Sequence, residues 1–259
     1  MARQRLRFAL PAVLAIVVLA AWQLGIHAFD VPRFLVATPL DIAHGLVDGF
    51  VHGTLLRDTA VTLEEIVLGF AVGASIGIIL GILVAWSPLL DQTLTPYIIA
   101  LNGFPKVAIA PLIVVLLGQG LTSKIVITAL VSFFPLVVNV TSGLNSIRTD
   151  QLDLMRSLTA SRWQLFTKVQ LYMALPQVFA GLRIAIVLAP IGAIVGEFVG
   201  SHEGLGYAIQ VAIVLVRPGD EFAIFVILTT ISLSLFQVVK LIEAKVVFWH
   251  SVGGQVTSA

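Results

Sequence analysis

The sequence predicts an all-α, polytopic membrane protein with about six transmembrane helices and one long cytoplasmic loop. Two observations carry this. Apolar residues make up 58% of the 259 residues and charged residues only 11%, with a mean hydropathy of +1.04; a soluble chain carries about 25% charged residues. The apolar residues also run in blocks: 8–29, 66–90, 125–147 and 222–239 contain no Asp, Glu, Lys or Arg. A helix needs about 20 such residues to cross a bilayer. These blocks do not alternate, which excludes the strands of a β-barrel.

The first block follows three arginines, Arg3, Arg5 and Arg7, and a secretory leader is one reading of it. The run exceeds a typical leader's apolar core and no clear small-residue cleavage site follows Trp22, so an uncleaved first span at 8–29 is expected. The second, fourth and sixth spans are expected at 64–86, 123–143 and 221–242. Two more emerge once single charges are tolerated: 96–118 carries Lys106, and 177–200 carries Arg183 and Glu197. Six spans put both termini on one side. That side holds Arg3, Arg5, Arg7, Arg148, Arg156, Arg162, Lys168, Lys240 and Lys245, against Arg33, Arg57, Lys124 and Arg217 on the other. The positive-inside rule then places both termini in the cytoplasm.

Two connections exceed what a hairpin needs. Residues 30–62, outside, have an amphipathic middle (Ile42, Leu46, Phe50) suited to the membrane surface. Residues 143–176, inside, form the most polar stretch of the chain. There Thr149 or Asp150 reads as an N-cap, with Asp153 near the positive helix end. Leu152, Met155 and Leu158 share one face. A break follows at Thr159 and Ala160. Ser161 and Gln164 then read as a capping box opening a second helix with Trp163, Phe166, Val169 and Met173 on one stripe, closed by Pro176. Two such amphipathic helices fit a groove on another protein; the alternative is a loop folded onto the bilayer with Trp163 as interface anchor.

Within the spans, Gly69, Gly73, Gly77 and Gly81 lie four apart, and Gly192, Gly196 and Gly200 repeat the device. Small residues at that spacing let helix backbones approach closely, inside one subunit or along a subunit seam. Asn102, Gly103, Pro105 and Pro111 break the third span, and broken membrane backbone meets protein or a water-filled cavity. Lys106 lies between the prolines. Arg183 and Glu197 stand about 21 Å apart at 1.5 Å per residue and cannot pair with each other. Lys106 with Glu197 is one inter-helix pairing, and Arg183 is near enough to the cytoplasmic end to snorkel. Asn102, Pro105, Lys106, Arg183 and Glu197 are therefore candidates for a translocation path or for structural ion pairing, and a path carrying Lys106 and Arg183 favours anions.

The stretch from Asp153 through Leu158, Thr159, Ala160 and Ser161 to Pro176 resembles the EAA loop of ATP-binding-cassette importer permeases. Asp153 takes the position of the glutamate; Leu158, Ala160 and Ser161 match the core; Pro176 matches the terminal proline. Leu154 and Met155 replace the two alanines. Thr159 replaces a glycine whose turn favours positive φ, where a β-branched residue is strained. Further patches are similar to the nitrate/sulfonate/taurine branch: Thr38-Pro39-Leu40-Asp41, Phe104-Pro105-Lys106, Phe133-Phe134-Pro135, Gly181-Leu182-Arg183 and Gly204-Leu205-Gly206-Tyr207. They lie within residues 38–245.

The resemblance implies an N-terminal helix and outer segment at 1–62, a transmembrane core at 63–245 with a coupling-helix loop at 146–176, and a cytoplasmic tail at 246–259. It implies a permease homodimer in the lipid bilayer, two ATP-binding subunits docked on the loop, and an external solute-binding protein. The solute would be a small anion such as nitrate, a sulfonate or taurine, or a neutral heterocycle such as a thiamine-pyrimidine or riboflavin precursor.

The residues themselves supply no catalytic group. There is no phosphate-binding loop: Gly118, Gly120 and Lys124 have the residue types in the wrong spacing. The histidines (27, 44, 52, 202, 250) show no metal-ligand spacing, cysteine is absent, and nothing suggests nucleic-acid binding. The chain is expected to hold no cofactor, with ATP and Mg on the partner subunit. An ion-coupled carrier using Lys106, Arg183 and Glu197 is the second reading, though no inverted repeat with matching broken helices supports it. An intramembrane enzyme is the third.

Overall fold

The computed structural model describes residues 2–32, 34–147 and 149–249. Arg33, Arg148, His250 and the tail beyond residue 249 lie outside the described residues, as do the side chains of Arg3, Arg5, Arg7 and Arg156. Every regular element among the described residues is helical: α1 Ala2–Ala28, α2 Pro39–Val51, α3 Leu55–Trp86, α4 Pro88–Asn102, a 3-10 turn Lys106–Ile109, α5 Ala110–Leu117, α6 Leu121–Asn145, α7 Thr149–Ser157, α8 Arg162–Leu165, a π turn Phe166–Gln170, α9 Leu171–Gly200, α10 Leu205–Val214 and α11 Pro218–Val246.

Among the described residues four stretches are long and apolar enough to cross a membrane, α3, α6, the continuous run Arg162–Gly200 and α11, or five if the bent pair Pro88–Asn102 and Lys106–Leu117 is one span. The expected third span is not one helix. α4 ends at Asn102, and the pieces Pro88–Asn102 and Lys106–Leu117 meet at 83°. The cause is local. Pro105 has no N–H to continue the ladder and restricts Phe104 before it, while Pro111 sits in the first turn of α5, where its missing donor costs nothing. Within α1, the apolar stretch Val13–Ala28 is shorter than the other candidates.

Boundaries also move. α3 begins at Leu55, well before the expected 64, because its early charges are provided for. Thr54 Oγ1 donates to Asp58 Oδ2 at 2.5 Å, and Asp58 in the first turn faces the positive helix end. Pro176, expected to close the second loop helix, lies inside α9; the π turn Phe166–Gln170 precedes it, and the helix runs through, as prolines in membrane helices do where neighbours satisfy the freed carbonyl. α10 was not expected: its apolar run is too short to read as a span. Gly204, at φ 101, turns the chain into it.

The chain divides into two compact units. One comprises residues 1–61 and 202–229. In it Thr38 and Asp41 form the capping box of α2, so the amphipathic segment is a helix, and Ile42 packs with Ala37 and Ala223 beside Trp22, Leu46 and Phe222. The other comprises residues 62–201 and 230–259. Its core is α6 held between α3 and α9. A Cβ on Gly73 would lie 2.9 Å from Ala129 Cα, one on Gly81 2.7 Å from Val140 Cβ, and one on Gly192 2.6 Å from Thr128 Cα. Gly69 and Gly77 likewise face Thr128 and Leu136, Gly196 faces Lys124, and Gly200 faces Val114. Both glycine stripes are thus occupied within one subunit.

Candidate functional site

The loop 146–176 is built as two helices and a strained corner. α7 opens at Thr149. Ser161 caps α8: its hydroxyl accepts from Gln164 N at 3.2 Å, and its own N–H donates to Gln164 Oε1 at 2.8 Å. Between them Ala160 N donates to Met155 O at 3.0 Å, and Thr159 stands at φ 53. The left-handed corner is retained although a β-branched residue occupies it, at a cost of roughly 1–2 kcal/mol.

The expected apolar stripes divide when folded. Leu152, Met155, Phe166 and Val169 are half-buried, whereas Leu158 and Trp163 are each 65% exposed. Leu154, counted in the sequence only as a replaced alanine, is 60% exposed, one helical turn from Leu158. Leu154, Leu158 and Trp163 are the exposed apolar residues around the corner of the loop; further along the stripe Met173 is exposed too, beside Leu171 and Tyr172. Asp153 is exposed on α7. Phe166 faces the bundle, packing against a buried cluster of Val140 and Leu144 of α6 and Ala174 of α9, which Ile78, Ile82 and Ala85 of α3 also cover. Its ring is 4.9 Å from that of Trp86, edge to face, and Trp163 lies 6.1 Å from Trp86.

The candidate path residues do not form one cluster. Lys106 Nζ donates to Asn102 O at 2.8 Å and to its Oδ1 at 3.3 Å, and sits 4.6 Å over the Phe134 ring. These contacts span the Gly103–Pro105 break, so Lys106 ties the two halves of the bent span together. It makes no pair with Glu197. Arg183 instead meets Glu243 of α11 at 3.3 Å, a buried carboxylate just past the expected sixth span.

Glu197 belongs to a buried polar group that the sequence reading missed. Thr62 Oγ1 donates to Glu197 Oε1 at 2.6 Å. Lys124 Nζ lies 2.7 Å from Glu65 Oε1 and donates to Ser201 Oγ at 2.8 Å; Glu65 and Glu197 are neighbours. Both carboxylates are fully buried, and Lys124 is 5% exposed. Lys124, counted in the sequence as a charge outside the membrane, is an interior ion-pair partner. The available signal was a Glu at the head of one long apolar run and a Lys at the head of another.

A cavity of about 530 Å³ opens in the unit of residues 1–61 and 202–229, with Asp48, His52, Arg57, His202, Tyr207 and Arg217 among its lining. Arg57 and Glu203 pair at 2.7 Å, and Asp58 Oδ1 accepts from Gly204 N at 3.0 Å.

Comparison with known proteins agrees with this arrangement. Residues 73–247 match the family described as "Binding-protein-dependent transport system inner membrane component". A probable ABC transporter permease protein of Haemophilus influenzae is 37% identical over 90% of this chain and 94% of its own. The riboflavin transport system permease protein RibX of Chloroflexus aurantiacus is 34% identical over 95% and 93%. An inward-facing structure of the MetNI methionine ABC transporter superposes with a TM-score of 0.60 at 20% identity, over 75% of this chain and 95% of that one, and shows the same fold.

Proposed function

We propose, because this chain belongs to the family of binding-protein-dependent transport system inner membrane components, that its two exposed-loop helices are the docking element through which a separate ATPase drives it. The chain is a multi-pass inner-membrane permease of an ABC importer, and it is not an enzyme. ATP and Mg are held by the partner subunit. Two permease copies enclose the path, both termini are cytoplasmic, and a binding protein delivers solute from outside. ATP binding closes the ATPase pair and drags the docked loops, opening the path outward; hydrolysis resets it.

The observation that carries this reading is the loop's division of labour. Leu154, Leu158 and Trp163 are left exposed, while Phe166 anchors the same loop into α3, α6 and α9. An apolar face on a rigidly rooted helix pair suits a groove on a partner. The test is native mass spectrometry of the gently extracted complex, with vanadate-sensitive ATP hydrolysis. Two permeases with two ATPase subunits, lost on Leu158→Asp, is the expected result; a permease without ATPase overturns it.

For the solute, the branch resemblance points first to a small anion such as nitrate, a sulfonate or taurine, with Lys106 and Arg183 as a second support. Arg183 is ion-paired with Glu243, and Lys106 is held by Asn102 and Phe134. Among the described residues the Arg183 charge is thus compensated and that of Lys106 is not, so a small anion stays the first reading; the likeness to a riboflavin permease supports the alternative, a neutral heterocycle. Calorimetry of the binding protein that co-purifies with the complex, against riboflavin, a pyrimidine precursor, taurine and nitrate, distinguishes them.

A further inference from the structure

We infer that Trp86 is a positioning residue: it carries the displacement of the docked loop to α3, the one helix of the α3–α6–α9 core that has no direct backbone connection to the loop. This rests on the docking reading above. α6 leads into α7 through residues 146–148, and α8 continues into α9 as the run Arg162–Gly200. Both helices therefore receive a pull on the loop through the chain itself. α3 ends at Trp86, and Ser87 at once caps α4.

Against the loop, α3 offers side chains only. Ile78, Ile82 and Ala85 pack against the same buried cluster of Val140, Leu144 and Ala174 as Phe166 does. Trp86 goes further, with its ring edge-on to Phe166 at 4.9 Å and 6.1 Å from Trp163, whose own ring is 6.0 Å from Phe166. Three aromatic rings thus join the end of α3 to the first turns of the second loop helix. Trp163 is shared between the exposed docking face and this contact. The π turn begins at Phe166; such turns are sites where a helix changes register. The aromatic contact holds the loop to α3 at the residue where the π turn begins. Beyond Gly81 the last turn of α3 reaches α6 through Val84, buried with Phe134 and Val137, and reaches the loop through the ring of Trp86.

The chain has no cysteine, so two introduced ones, Ser157→Cys on α7 and Ile79→Cys on α3, carry spin labels without background from it. The complex with its ATPase is reconstituted in nanodiscs, with labelled permease diluted into unlabelled, and the intrachain distance is read nucleotide-free and trapped with ATP, Mg and vanadate. In the otherwise wild-type chain the distance is the same in both states. In Trp86→Ala, and in Trp86→Leu, which keeps apolar volume without the ring, the ATPase stays bound and hydrolysing. The distance then shifts on trapping by more than about 2 Å, the upper end of ordinary interface helix shifts. Trp86→Phe restores the wild-type behaviour. An unshifted distance in both ring-less variants with ATPase bound overturns the role of Trp86, as does a shift in the wild-type ring background. A wild-type complex that carries no ATPase overturns the docking reading and this inference with it.

Discussion

Lys124 Nζ and Glu65 Oε1 lie 2.7 Å apart with both side chains almost fully buried. They join the first turn of α6 to α3, and Ser201 and Glu197 bring in the end of α9. Breaking a buried pair strands the remaining charge, which costs about 3–5 kcal/mol, whereas replacing both partners by apolar residues of similar size is near neutral. Lys124→Ala should therefore lower the thermal midpoint of the purified permease sharply, and Lys124→Met with Glu65→Leu should recover most of it. Differential scanning fluorimetry in one detergent checks both. Equal damage from the double replacement would mean that Lys124 also serves Glu197, the second buried carboxylate of the group.

The same reasoning applies to Arg183 and Glu243 with a smaller expected effect, since Arg183 is partly exposed. Arg183→Ala should destabilise, and Arg183→Ala with Glu243→Ala should destabilise less. If Arg183 instead serves the solute, uptake falls in the double variant although its thermal midpoint recovers. Measuring both quantities on the same preparations separates the roles.

Thr159→Gly should stabilise the loop. Thr159 stands at φ 53, and glycine removes a strain of roughly 1–2 kcal/mol while adding unfolded-chain freedom of about 0.4–1 kcal/mol. The net gain is about 0–1.6 kcal/mol, read as slower amide exchange at residues 155–161. Faster exchange there would show that the threonine is accommodated without strain.

Gly73→Val should prevent α3 from closing on α6, because a Cβ at Gly73 already falls 2.9 Å from Ala129 Cα, a backbone atom that cannot turn aside. Gly25→Ala, with nothing within 4 Å of the added carbon, is the matched control. Size-exclusion chromatography should show aggregation for the first and an unchanged profile for the second. A monodisperse Gly73→Val protein would indicate that the α3–α6 contact is dispensable.

Composition and block length were enough to establish a helical membrane protein, because a bilayer demands long apolar helices whatever their packing. Local chemistry was equally legible. The Ser161–Gln164 capping box and the demand for positive φ at Thr159 depend on residues within one turn of each other, and both stand in the structure. The glycine stripes were legible as close-approach faces.

What they approach was decided only by the tertiary structure. α6 fills the groove between α3 and α9, which neither stripe names. Charge pairing was likewise out of reach: Glu65 with Lys124, and Arg183 with Glu243, meet across distant stretches of chain, and a charge in an apolar run announces a partner without identifying it. The 83° break at Gly103–Pro105 lay in plain view as two prolines, but hydropathy averages over a bend. The exposed set of Leu154, Leu158 and Trp163 required knowing which side of each short helix the bundle covers. Sequence determined what each segment is, through composition and neighbouring residues; tertiary structure alone determined what each segment touches, because contact depends on packing between elements far apart in the chain.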